Sequence, residues 1–218
     1  MKVLPIKKHH EDLLLKYGLN HKKLNRCELH VFNPGETIWA EEDELSSLLL
    51  VLNGKAKICS SDANGNNLIL SYYISSGFIG DIEFIMNHLE ATASVIAVSP
   101  FECISLPYTS NRDQLLENNA FMNSLALDLS EKLFECTNSY VSNVLKTGEQ
   151  RLCSYLLQAE YKGFFYDNYQ DVSATIGLSY RHLLRLLKQL NEKGIIKREK
   201  DGYQIMKRDQ LQHIACET

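Results

Sequence analysis

Between residues 27 and 106, apolar positions come in short runs: CELHVF, TIWA, SLLLVLNG, KAKICS, NLILSYYI, ATASVIAV and FECISL. Turn formers such as Asn33-Pro34-Gly35, Ser75-Ser76-Gly77 and Pro100 separate them, which predicts an antiparallel sandwich or barrel. The segment from Asp62 to Asn67 has the composition of a hairpin tip. FIGDIEFIMNHLE, residues 78–90, breaks the pattern and predicts a short helix set into the wall. Ahead of the strands, residues 9–26 predict one or two short helices interrupted near Gly18.

From Ser110 to Lys146 the period becomes helical throughout. Met122, Leu129 and Cys136 recur every seven residues, with Leu125 or Ala126, Leu133 and Tyr140 between them, forming an apolar seam. Such a seam packs either on its own barrel or on the same helix of a second copy around a two-fold axis. Lys146-Thr147-Gly148 is the expected hinge, and residues 149–162 open a new region with another amphipathic helix.

Within that region Val172 and Ile176 stand one turn apart, and Leu183, Leu186, Leu187 and Leu190 mark one buried face of a further helix. Gly177 can take the left-handed conformation that ends a helix, Leu178 can fill the corner, and Ser179 carries an oxygen suited to the next N-cap. These features predict a helix-turn-helix. Residues 194–206 then alternate around Asp201-Gly202, the pattern of a β-hairpin wing bearing Lys197, Arg198 and Lys200.

Charge sharpens the picture. The whole chain has a net charge of -4 and a pI near 6.0, yet residues 179–208 hold nine basic and three acidic side chains. Arg181, Arg185 and Lys188 lie at i, i+4 and i+7, turned away from the leucines. A cationic face on the second helix of such a pair suits the DNA major groove, where arginine bonds guanine bidentately; a solvated basic face on an ordinary helical hairpin is the bland alternative. Gln170 and Ser179 near helix N-termini, and Lys200 on the wing, are expected to meet phosphates. Tyr180 and His182 complete the face.

Composition narrows the rest. The N-terminus shows no signal-peptide pattern and the chain has no apolar run long enough for a bilayer, so a cytoplasmic protein without a membrane partner is expected. Six cysteines at 27, 59, 103, 136, 153 and 216 show no CxxC and no clustering, which indicates neither zinc ligation nor a disulfide framework. No metal site, catalytic residue or cofactor is expected. A barrel enzyme would want paired histidines beside a carboxylate, and neither His30 nor His88 has that company.

The order of barrel, inset turn, seam helix, hinge and winged helix resembles the CRP/FNR family of bacterial transcription regulators over nearly the whole chain. The residues that carry the resemblance are Pro34-Gly35-Glu36, Leu52-Asn53-Gly54-Lys55, Gly77-Phe78-Ile79-Gly80-Asp81-Ile82 and the helix-turn-helix, whose SYRHLLR run looks most like YeiL-type members. The resemblance implies an α+β architecture. It comprises a jelly-roll barrel like a cyclic-nucleotide-binding domain (1–109), a dimerisation helix with hinge (110–147) and a winged helix-turn-helix (148–218). It implies a homodimeric regulator whose barrel senses a signal and whose long helix transmits it. Expected partners are double-stranded DNA with a palindromic operator, a second copy of the chain, and RNA polymerase.

In cyclic-nucleotide-binding members, a Glu holds the ribose and an Arg the cyclic phosphate. The match places an effector pocket at Gly80, Asp81, Ile82, Ala91, Thr92, Cys136 and Thr137. Alanine stands at the arginine position, so a buried phosphate would lack its counter-charge, and cyclic AMP is not expected as effector. The effector's identity stays open. The oxygen-sensing branch's cysteine cluster is not matched, since only Cys27 lies near the start. Cys136 on the seam offers redox input as an alternative signal. At the DNA face, Tyr180, Arg181 and His182 replace the family's Arg, Glu and Thr, which implies a different operator.

Overall fold

The computed structural model describes residues 1–61 and 67–216. The expected hairpin tip at 62–67 lies largely outside them. Two compact units are present, one of Met1–Cys59 with Ile74–Glu135, the other of Ser60–Tyr73 with residues 136 onward.

The first unit starts with strand β1 (Lys2–Leu4), helix α1 (Lys8–Lys16) and a short turn of 3₁₀ helix at His21–Lys23. Strands β2 (Glu28–Phe32), β3 (Thr37–Trp39), β4 (Ser47–Asn53), β5 (Ala56–Ser61), β6 (Asn67–Ile74) and β7 (Phe78–Ile79) follow. Helix α2 (Asp81–Met86) interrupts them before β8 (Ser94–Ala97) and β9 (Phe101–Pro107). Two sheets result, in the orders β1-β2-β9-β4-β7 and β3-β8-β5-β6. The expected jelly roll is thus present, as a two-sheet sandwich rather than a closed barrel, and β1 is an edge strand that the sequence reading missed.

The continuous apolar run of β4 has a simple cause: both faces are covered. Leu49 and Val51 face the sandwich interior with Phe32, Phe101 and Cys103, whereas Leu48 and Leu50 join Ile104, Leu106 and helical residues in a second core. That second core takes in Leu14 of α1, Phe84 of α2 and Phe121.

The helical stretch after β9 is two helices rather than one, α3 (Tyr108–Leu116) and α4 (Asn119–Leu145). Asn118 makes the break, since its Oδ1 accepts the Phe121 N–H at 3.2 Å and its Nδ2 donates to the Gly18 carbonyl at 2.8 Å. The seam on α4 also divides. Phe121 and Leu125 are buried, with Met122 and Leu129 packed beside them, so the first turns serve the helix's own domain. Leu133, Phe134, Tyr140, Val144 and Leu145 are each more than 60% exposed.

The second unit holds α5 (Gly148–Ala159), β10 (Phe164–Phe165), α6 (Tyr169–Thr175), α7 (Tyr180–Glu192), β11 (Ile196–Glu199), β12 (Gly202–Ile205) and α8 (Arg208–Cys216). Its sheet runs β10-β12-β11, one strand more than the expected hairpin. The core gathers Leu152, Tyr155 and Leu156 of α5, Val172 and Ile176, and the α7 leucines with Ile195, Ile196 and Leu211.

Candidate nucleic-acid interface

The interface is built from the α7 start. Ser179 is its N-cap, with Oγ accepting the His182 N–H at 3.2 Å, which satisfies one of the helix's first free donors. The turn before it is held on three sides. Gly177 has φ +61°, Leu178 donates its N–H to the Ser173 carbonyl at 2.9 Å, and Arg151 of α5 donates to the Gly177 carbonyl at 3.3 Å.

Gly148, expected as a hinge residue, is the first residue of α5, below a capping box made by Thr147 and Gln150. A Cβ there would stand 3.0 Å from Leu178 Cδ2 and 3.3 Å from His182 Cε1. Glycine at this position thus serves the close approach of α5 to the helix-turn-helix.

With Leu183, Leu186, Leu187 and Leu190 all buried, the opposite side of α7 is open. Ser179, Arg181, His182, Leu184, Arg185 and Lys188 line one shallow concavity there. Tyr180 is 46% exposed at its edge. Leu184 was not singled out in the sequence; its exposure among basic neighbours gives the face an apolar spot suited to a thymine methyl. Lys188 pairs with Glu192 at 3.8 Å, both well exposed, a weak contact that a phosphate can displace.

Gln170 is exposed on the first turn of α6, where its backbone N–H bonds Asn168 Oδ1 at 2.8 Å. Lys200 is exposed at the wing tip. The other wing cations have partners: Lys197 pairs with Glu199 at 2.9 Å, and the Arg198 guanidinium lies over the rings of Tyr169 and Tyr203, at 5.5 and 5.0 Å from their centroids. Arg198 therefore braces the wing against α6.

The expected effector pocket has a different geometry. Gly80 is the N-cap of α2 at φ +83°, but the Asp81 carboxylate accepts from Lys132 Nζ at 2.7 Å, and Lys132 also pairs with Asp128 at 2.7 Å. Lys132 donates to the Phe78 carbonyl as well, and Asp128 accepts the Phe78 N–H at 3.0 Å. Burial holds Asp81 above the usual carboxylate range, outweighing the nearby Lys132 ammonium.

Thr92 donates its backbone N–H and its hydroxyl to Glu83 Oε1, at 3.0 and 2.6 Å. Ala91 is buried, while Ile82 is 48% exposed. Cys136 and Thr137 lie on the exposed stretch of α4. Asp81 and Thr92, expected to face a ligand, are bonded here to Lys132 and Glu83. Glu83, an acid inside an apolar helix, was the overlooked signal.

The cyclic nucleotide-binding domain model matches residues 29–118, and the Crp-like helix-turn-helix domain model matches residues 150–214. The regulatory protein YeiL of Escherichia coli O157:H7 is 30% identical over 177 residues, spanning 81% of this chain and 80% of that protein. The cAMP-activated global transcriptional regulator CRP of the same organism is 23% identical over 195 residues, 85% of this chain and 90% of that one. Among solved structures, a CRP/FNR-family transcriptional regulator from Thermus thermophilus superposes with a TM-score of 0.70 at 18% identity, covering 86% of this chain and 97% of its own. FixK2 from Bradyrhizobium japonicum gives a TM-score of 0.70 at 14% identity, with 89% and 100% covered. The chain belongs to the CRP/FNR family: it is a transcription regulator with a helix-turn-helix DNA-binding domain and a cyclic-nucleotide-binding-like sensing domain.

Proposed function

We propose that the protein acts as a cytoplasmic homodimer that lays its paired α7 helices into successive major grooves of a palindromic operator. The observation that carries this is the two-sidedness of α7. Four leucines are locked inside, and Arg181, Arg185 and Lys188 are presented together outside on a capped helix start. Arg185 takes a guanine edge, Arg181 a guanine or a phosphate, and Ser179, Gln170 and Lys200 the phosphates that set the register. Tyr180 and His182 border the same bases.

The exposed apolar stretch of α4 from Leu133 to Leu145 supports a parallel helix pair at the two-fold axis. The division into residues 1–109, 110–147 and 148–218 follows from that role for α4. A signal sensed in the N-terminal domain shifts a two-state equilibrium in how the DNA-binding domains are held, and RNA polymerase reads the result. Cyclic AMP is not the signal: Ala91 supplies no guanidinium, and Asp81 and Thr92 are already engaged.

In vitro selection from random duplexes tests the reading. It should return an inverted repeat with half-site centres about one helical turn apart. Arg185→Ala should lose about 1–3 kcal/mol, concentrated at one base pair in each half-site. Selection of an unpaired site, or unchanged base preference at every position in Arg185→Ala, contradicts it.

A further inference from the structure

The sensing domain contains a cavity lined by β2, β3, β4, β9 and the loop before β4, and not by Asp81 or Thr92. It measures about 360 Å³, at the small end of the range for ligand pockets. Phe32, Ile38, Trp39 and Leu49 make its apolar wall, and His30, Ser47 and Ser105 its polar side. Sheet register explains the company: Ser105 of β9 stands between Glu28 of β2 and Leu49 of β4, so their side chains share the inner face.

Ser105 is 5% exposed, and its hydroxyl has no hydrogen-bond partner among the described residues, while it lines the cavity. Its oxygen is accessible from the cavity, so it can accept a hydrogen bond from a group bound there. Asp43 and Glu44 stand at the mouth. Among the lining groups, Met1's ammonium is already matched by Glu36 at 3.1 Å, and His30 Nε2 lies 3.4 Å from the Glu28 carboxylate. Asp43 Oδ2 accepts the Ala40 N–H at 2.6 Å, leaving Glu44 as the more available carboxylate.

We propose that this cavity binds a small organic cation with a flat apolar body, such as an amidinium or an aryl-ammonium compound. Its body lies against Trp39 and Phe32, its charge faces Glu44 and Asp43, and Ser105 accepts a hydrogen bond from it. A cation is favoured because aromatic faces and unneutralised carboxylates both attract positive charge, and an anion would meet both as repulsion.

The site deepens the sensing role proposed above by naming a ligand class, and its position offers a route outward. Trp39 Cη2 would stand 3.3 Å from a Cβ built on Gly80, and the Ser47 carbonyl 3.6 Å, so the cavity wall abuts the N-cap of α2. The next residue is Asp81, joined to Lys132 on α4. A ligand that moves the indole pushes on the turn that α4 holds.

Trp39 is the chain's single tryptophan, so its emission reads occupancy in the full-length protein without any DNA present. Titration with benzamidine should give a saturable change in emission, and benzoate, of the same shape and opposite charge, should give none. Glu44→Gln, at an exposed residue, should raise the benzamidine Kd about tenfold or more. A response that does not saturate, an equal response to benzoate, or an unchanged Kd in Glu44→Gln overturns the assignment. A silent titration from a protein that still selects a palindromic operator defeats the cavity alone. A normal titration from a protein that selects none defeats the DNA-binding reading alone.

Discussion

Lys132→Met removes the ammonium that a buried carboxylate, Asp81, and a partly buried one, Asp128, share. Side-chain exposure is 19% for Lys132, 7% for Asp81 and 14% for Asp128, so water screens none of them well. Removing one partner of a buried ion pair costs about 3–5 kcal/mol, because a charge is left without compensation, and methionine keeps most of the aliphatic stem. Here two carboxylates lose their shared ammonium, Asp128 keeping the Phe78 N–H, and the donor to the Phe78 carbonyl is lost as well. A deficit near the upper end, about 4–5 kcal/mol at pH 7.5, is the expected outcome.

The pH dependence has a definite sign. Asp81 is raised in the folded state by burial, so its protonation contributes stability below its unfolded value, and that stability is lost as pH rises through the folded value. Without Lys132 the folded value climbs further, and the variant's deficit shrinks as pH falls. Urea unfolding followed by Trp39 emission at pH 7.5 and pH 5.5 measures this, since Trp39 lies in the same unit. A deficit below about 1 kcal/mol at pH 7.5, or one that grows on acidification, would refute the reasoning. Asp81→Asn combined with Lys132→Met should recover part of the loss.

Three further outcomes follow from individual contacts. Ser179→Ala removes the α7 N-cap and should cost about 1 kcal/mol of stability in the DNA-binding domain, measured by thermal unfolding, with Ser179→Asp restoring most of it. Iodoacetamide at pH 7.5 should label Cys216, which is exposed, and leave Cys103 and Cys153 unmodified in the native protein, because burial pushes those two thiols up to about 12. Isothermal titration with cyclic AMP should show no saturable heat, and binding tighter than about 1 mM would contradict the account of Ala91, Asp81 and Thr92.

The elements with a strong local signal were legible in the sequence. The α7 leucines, the Gly177 turn and the Ser179 cap announce themselves through periodicity and turn chemistry, and they stand where expected. The strands from 27 to 106 were equally plain: turn formers separate them, and β4, sealed on both faces, reads as an unbroken apolar run. What escaped depends on distant partners. β1 and β10 are two or three residues long and exist through pairing with β2 and β12, which no local pattern reveals. The break before α4 rests on Asn118 reaching Gly18, a hundred residues away in sequence.

The sensor residues show the same limit. Ungapped matching points to Asp81 and Thr92, but it does not reveal that Lys132, 51 positions from Asp81, and Glu83, nine from Thr92, bond those side chains. On the wing, the charge of Arg198 was visible but its stacking on Tyr169 and Tyr203 was not.

Hydroxyl-radical footprinting of the selected operator tests the central claim most directly, with wild-type protein beside Arg181→Ala/Arg185→Ala. Two protected patches whose centres lie one helical turn apart on one face of the duplex, lost or weakened at least a hundredfold in the double variant, are the expected result. A single protected patch, or two patches that persist unchanged without the two arginines, would contradict a paired α7 reading the grooves.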